Sequence, residues 1–152
     1  DSAQRLGLTA SVLGASEELA QATLKATEGR GAHVIVDLVG GAGLAALVGA
    51  THHRGALILV GLLAGARSEL PLAKVLMKRL RIQGTVLRSR GHDEKRELVH
   101  AFRRELITAF EGPSPALKPV IDRVISWREV ASGHEALGRN ATTGKIVLEH
   151  VD

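Results

Sequence analysis

Gly41, Gly43 and Ala46 stand in the pattern G-x-G-x-x-A, directly after an apolar run and at the head of an amphipathic one. That spacing can cradle the pyrophosphate of a dinucleotide, because glycines let the backbone come close and a helix start offers unpaired N–H groups. The same chemistry asks for an acid about 20 residues further on, at the end of the next strand, to hold the ribose hydroxyls. Here the next strand ends Leu59, Val60, Gly61, and no acid follows. The match therefore reads as a decoy. Gly40, Gly41 and Gly43 serve either a tight strand-to-helix turn or a close approach of backbone to a cofactor. Asp37, a polar residue near the end of a buried strand, is either a site acid at the sheet's carboxyl edge or a structural acid satisfied by backbone donors.

Other candidate chemistry is thinner. His52 and His53 are adjacent, so on a helix they point apart, and no Asp, Glu or Cys cluster accompanies them. A metal site is disfavoured, and capping of the negative end of their helix is the better reading. Ser89 and His92 are three apart, without a nucleophile elbow or an orienting acid, which makes a hydrolase a weak reading. Seven basic residues fall between Lys78 and Arg96, with no interleaved aromatic to stack on bases, so a solvated face is favoured over nucleic-acid binding. Arg88 and Arg90 either blunt an edge strand or face the cofactor side, and Lys145 reads as a surface lysine at a strand start.

The elements that must position these residues follow from composition and periodicity. The 152 residues carry a formal charge of +4, one Trp, two Phe and no Tyr or Cys, so the core is built of Leu, Val, Ile and Ala, as suits an α/β sheet. Without Cys there is no disulfide, thiolate nucleophile or Cys-based zinc site, which fits a soluble cytoplasmic protein. No apolar run reaches the roughly 18 residues of a membrane span.

Residues 1–6 read as the last turns of a helix closed by Gly7, and residues 11–13 as a short strand. A helix capped by Ser16 follows, with Glu17 and Glu18 in its first turn. Residues 33–39 form a near-continuous apolar run, expected to be a parallel strand covered on both faces. A helix with Leu44, Leu47, Val48 and Thr51 at its spacing leads to a second buried strand, residues 56–60. Pro71 opens a helix with Leu72, Val75 and Leu76 inward, and residues 81–88, RIQGTVLR, read as an edge strand. Asp93 caps a long helix striped with Leu98, Val99, Phe102, Leu106 and Phe110, ended by Gly112 and Pro113. After a proline-marked linker come a strand near 123–125, a capping box of Ser126 and Glu129, a short helix and a strand over 145–149.

The order VIVDLVGG, ALILVGLLAG, LPLAKVLMKRLRIQGTVLRSR and TTGKIVLEH resembles the cofactor lobe of the medium-chain dehydrogenases/reductases. Within them it is most similar to the zinc-independent NADPH quinone oxidoreductases, particularly the tumour-suppressor-induced group, and KRLRIQGTVLRSR is the most specific segment. The resemblance implies an α/β fold: a partial Rossmann-type, doubly wound parallel sheet lacking its first two strands, with a small C-terminal α/β appendage. It implies a partial dinucleotide-binding domain over residues 1–112 and a segment over 113–152 that in the family returns to the catalytic domain. The resemblance further implies that the family's catalytic domain and true glycine fingerprint lie outside these 152 residues.

The cofactor contacts implied by the resemblance are Val39, Gly40 and Gly41 after one strand and Gly61, Leu62 and Leu63 after the next. Leu87, Arg88 and Ser89 would lie near the nicotinamide carboxamide. The family chemistry is hydride transfer from NADPH to a quinone, in which the cofactor carries the reaction and no side chain here is a catalytic acid or base. Partners implied are a quinone and a second copy paired through edge strand 81–88, with neither nucleic acid nor membrane. Little or no activity is expected of the chain alone. The alternative is a non-catalytic dimerisation or interaction module using that edge strand, and a third reading, a lone nucleotide-binding domain, would need Gly41 to Ala46 to grip phosphate.

Overall fold

A computed structural model describes residue 4, residues 7–113 and residues 115–150 of the chain. The helix expected over residues 1–6 lies, apart from Gln4, outside the described residues. Gly7 does turn left-handed, with φ +94° and its N–H on the Gln4 carbonyl at 3.0 Å. The architecture is α/β with parallel sheets, and the chain divides into two compact units, Asp1–Arg90 and Gly91–Asp152.

The first unit is a three-stranded sheet in the order β1-β2-β3, with β1 Ala32–Asp37, β2 Thr51–Leu59 and β3 Arg81–Gly84, all parallel. Parallel neighbours need crossovers, and the chain supplies α1 (Ser16–Ala26) before β1, α2 (Leu44–Ala50) between β1 and β2, and α3 (Leu72–Lys78) between β2 and β3. The core is the seam between α2 and the sheet. Leu44, Val48 and Leu57 are buried there, and Ile35, Leu59, Val75 and Ile82 pack around them. Alternation along a strand then puts Val34 and Val36 on the opposite face, where each is 59% exposed.

Several expectations are corrected. An apolar strand was expected to be covered twice, yet β1 is covered on one face, because continuity of apolar residues fixes only that both faces are apolar. Residues 11–13 form no strand; they run as exposed loop, with no strand beside them to complete a ladder. Ser16 is not the cap of α1: Ala15 is, and the Glu18 carboxylate accepts its N–H at 2.7 Å. In α3 only Val75 of the three expected inward residues reaches the core, while Leu72 and Leu76 face outward. The edge strand stops at Gly84 rather than residue 88.

In the second unit α4, His92–Glu105, is capped by Gly91 rather than Asp93, which instead bridges to Arg96 at 3.0 Å. The helix ends before Gly112, with a 3-10 turn over Ile107–Phe110. Strands β4 (Ile121–Ser126) and β5 (Lys145–Glu149) pair in parallel around α5, Val130–Gly138. The Ser126 hydroxyl accepts the Arg128 N–H at 3.3 Å and so caps the 3-10 turn Trp127–Glu129, but the reciprocal Glu129 half of the expected capping box is not formed.

Candidate functional site

The carboxyl ends of β1, β2 and β3 carry three loops. After β1 the chain folds around Asp37, a buried acid whose Oδ1 accepts the N–H groups of Val39 at 2.8 Å and Gly40 at 3.0 Å. Of its two sequence readings, the structural acid holds for that oxygen. Its Oδ2 is buried without a partner among the described residues. Gly40 and Gly41 then turn with φ +65° and +69°, a region that L side chains avoid.

The loop after β2 is bonded to the first through backbone alone. Val60 N–H donates to the Asp37 carbonyl at 2.8 Å, Ala64 N–H to the Val39 carbonyl at 2.8 Å, and Gly41 N–H to the Gly65 carbonyl at 3.1 Å. The approach is so close that a Cβ on Gly61 would lie 2.4 Å from the Leu38 carbonyl oxygen, and one on Gly41 would lie 2.8 Å from that of Ala64. These glycines are thus required by loop-on-loop packing, whatever else they meet. Gly43 has a further reason, since a Cβ there would collide with the Ser16 hydroxyl. At the third strand, Thr85 N–H reaches the Leu59 carbonyl at 2.8 Å and carries the β2–β3 ladder past its last paired residue.

Between the second and third loops lies a cleft of about 380 Å³, lined by Leu59, Val60, Gly61, Leu62, Gly84, Thr85 and Val86. This is a ring-sized space with mostly apolar walls, of the sort that small-molecule sites use. Of the expected contacts, Gly61 and Leu62 line it. Val39, Gly40 and Gly41 belong to the neighbouring loop, Leu63 stands 87% exposed, and Leu87, Arg88 and Ser89 follow the cleft's last lining residue in an exposed turn. Leu59, Val60, Gly84, Thr85 and Val86 were not among the expected contacts, and the last two lie beyond the end of β3. The signal for them is pairing: once Gly84 is opposite Leu59, the next two residues must face the loop that follows β2.

The opposite, amino end of the sheet is closed by side chains. Lys78 at the end of α3 donates to the carbonyls of Gly49 at 2.6 Å and Thr51 at 2.8 Å, and the Thr51 hydroxyl donates to the Leu47 carbonyl at 2.8 Å. Lys78 therefore occupies the negative end of α2, where His52 and His53 were expected. The two histidines lie in β2, beyond the helix. His52 stacks on His33 with ring centroids 4.2 Å apart, and Arg79 donates to His53 Nε2 at 2.6 Å. Burial, and then the nearby charge of Lys74, hold the Lys78 ammonium below its ordinary value. Among the described residues no group of three or more His, Cys, Asp or Glu is placed to hold a metal, and no helix is long and apolar enough to cross a membrane.

A family model described as zinc-binding dehydrogenase matches residues 1–104. A Sinorhizobium meliloti structure described as an alcohol dehydrogenase is similar at 30% identity and a TM-score of 0.63, over 87% of this chain and 35% of that one. The alcohol dehydrogenase of Aeropyrum pernix aligns at 24% identity and a TM-score of 0.63, over 96% of this chain and 38% of its own. A mycobacterial quinone oxidoreductase aligns at 19% identity and a TM-score of 0.62, over 91% and 41% respectively. The chain thus spans little more than a third of the solved structures it resembles. No curated protein matches its sequence.

Proposed function

This chain belongs to the zinc-binding dehydrogenase family, within the medium-chain dehydrogenases/reductases, and on that premise we propose that it is the cofactor-side portion of an NADPH-dependent, zinc-independent quinone oxidoreductase. The observation that carries the reading is the apolar cleft at the carboxyl ends of β2 and β3, where ligands of parallel α/β sheets sit. The segment KRLRIQGTVLRSR supports the subgroup, and a soluble cytoplasmic setting goes with the same reading.

Zinc does not fit. The chain has no cysteine and the described residues offer no ligand set, so no step is routed through a metal. The nicotinamide half of a dinucleotide does fit: the cleft wall of Leu59, Leu62 and Val86 would exclude water from a ring, while Gly61 keeps that wall low enough for it to approach. When bound, the cofactor would supply a hydride to the quinone. The chain's own part is to hold and orient, with Val39, Gly40, Gly41, Gly61, Leu62, Leu63, Leu87, Arg88 and Ser89 as the proposed neighbours along the cofactor.

Calorimetric titration of the purified chain with NADPH and NADH tests this. Weak binding that Leu62→Asp abolishes is the expected result. Micromolar binding that survives Leu62→Asp but is lost in Gly43→Leu would overturn it in favour of a self-sufficient phosphate site at Gly41 to Ala46. A second reading has its own observation. Strand β3 lies at the sheet's border, so a second copy could pair along it, and the chain's mass in solution, with and without Gln83→Pro, decides that case.

A further inference from the structure

Among the described residues four that are not glycine hold a left-handed backbone, Glu28, Arg54, Arg79 and Asn140, and the two arginines meet at the amino end of the sheet. Arg54, with φ +62°, follows His53 in β2, and Arg79, with φ +51°, donates to His53 Nε2 at 2.6 Å. Arg79 stands just past the end of α3, a position that favours glycine. Each arginine therefore keeps a backbone that is costly to it and free to glycine. Other cations crowd the same end. Lys74 Nζ lies 3.7 Å from where a Cβ on Gly49 would stand, Lys78 holds the Gly49 and Thr51 carbonyls, and Arg81 pairs opposite Ala56, two residues beyond Arg54. Among the described residues no carboxylate pairs with Arg54, Lys74, Lys78, Arg79 or Arg81; Glu28, just after α1, faces Arg30 at 3.6 Å. Like charges gathered at a backbone cost, with no acid to offset them, mark a place that an anion completes.

From this arrangement we infer that Arg54 and Arg79 bind an oligophosphate, free or carried by a nucleotide, at the amino end of the sheet. The inference is independent of the cofactor reading, whose cleft lies at the opposite end. Phosphate suits these donors better than carboxylate does. With Nε2 accepting from Arg79, His53 carries its proton on Nδ1, so an imidazole N–H, the Lys74 ammonium and two planar guanidinium forks stand at this end. One carboxylate offers them two oxygens, whereas each phosphate of a chain brings further acceptors and more charge.

Amide-resolved NMR titration of the chain at constant ionic strength tests this, with tripolyphosphate, ATP and citrate as the probes. Tripolyphosphate should shift His53, Arg54, Gly55, Arg79 and Leu80. Arg54→Gly and Arg79→Gly should each weaken it about tenfold, the worth of one charge-assisted hydrogen bond, while thermal stability holds, since glycine relieves both backbones. Lys118→Gln, which removes one charge from the other unit, should leave binding within about twofold of wild type. Equal affinity for ATP assigns the site to the phosphate chain alone, and tighter ATP binding over the same residues assigns it to a nucleotide; both sustain the inference. It is overturned if the two glycine variants bind as wild type does, if Lys118→Gln loses as much as they do, or if citrate binds as tightly as tripolyphosphate. It falls equally if tripolyphosphate at millimolar concentration shifts nothing, or shifts Gly40 to Ala46 instead.

Discussion

The two ends of the three-stranded sheet are fastened by different means. At the amino end, side chains reach across: Lys78 onto two carbonyls, the Thr51 hydroxyl onto Leu47, and Arg79 onto His53. At the carboxyl end, backbone meets backbone between two glycine-bearing loops, and the Asp37 carboxylate braces the first of them from within. The difference follows from polarity. In a parallel sheet with helical crossovers, helix C-termini gather at the amino ends of the strands, where orphan carbonyls want cations and hydroxyl donors. The carboxyl ends receive loops; those after β1 and β2 are hydrogen-bonded to each other through backbone, and the space between the loops after β2 and β3 is left as an open, mostly apolar cleft. One end is closed by chemistry, and the other stays open for it.

Breaking the carboxyl end should have the largest effect. In Gly61→Val the new Cβ would meet the Leu38 carbonyl oxygen at 2.4 Å, a backbone atom that cannot rotate away, and a cost of about 3 kcal/mol is expected in urea unfolding. Gly84→Ala provides the control on the same cleft. Nothing lies within 4 Å of its Cβ position, so a change within about 0.5 kcal/mol is expected, and an equal loss in both variants would break the loop-packing account. Next in size is Asp37→Ala, which strands the N–H groups of Val39 and Gly40 and should cost about 2 kcal/mol. Asp37→Asn keeps an acceptor for them, and its loss should be less than half as large.

The glycine turns were legible because they are local. Gly40 and Gly41 sit between a strand run and a helix run, and their positive φ values are what such a corner demands. The carboxyl half of β2 was legible for the same reason, whereas its amino half was not. Thr51 to Arg54 show no apolar alternation, and the ladder with β1 breaks register between Ala32 and Val34, so these residues extend a helix on paper and a strand in space. The third wall of the cleft was hidden for a different reason. Thr85 is placed by the pairing of Leu59 with Gly84, about 25 residues apart, and no local pattern encodes register between strands. Lys78 was hidden in plain view. A run of basic residues says that the surface is positive, and only the packing of α3 against α2 picks out the lysine that turns inward.

The amino end can be broken through that lysine, with a smaller effect. Lys78→Met keeps the stem and loses the ammonium, leaving the Gly49 and Thr51 carbonyls without their donor, and about 1 kcal/mol should be lost at neutral pH. The smallest effect is the pH dependence of the same group, and its sign is opposite to a surface lysine pairing with an acid. Burial, and then Lys74, hold the folded-state value below the 10.5 of the ordinary group. Between that lowered value and 10.5 the unfolded chain binds the proton more readily, so stability should rise as pH is raised through this window. The neutral amine still has two N–H donors for the two carbonyls, so the fastening survives the loss of charge. In Lys78→Met the rise should flatten, and in Lys74→Gln, which removes only the second cause, it should shrink less. A rise of equal slope in wild type and Lys78→Met, followed by thermal unfolding across that window, would show that folding does not lower the proton affinity of this amine.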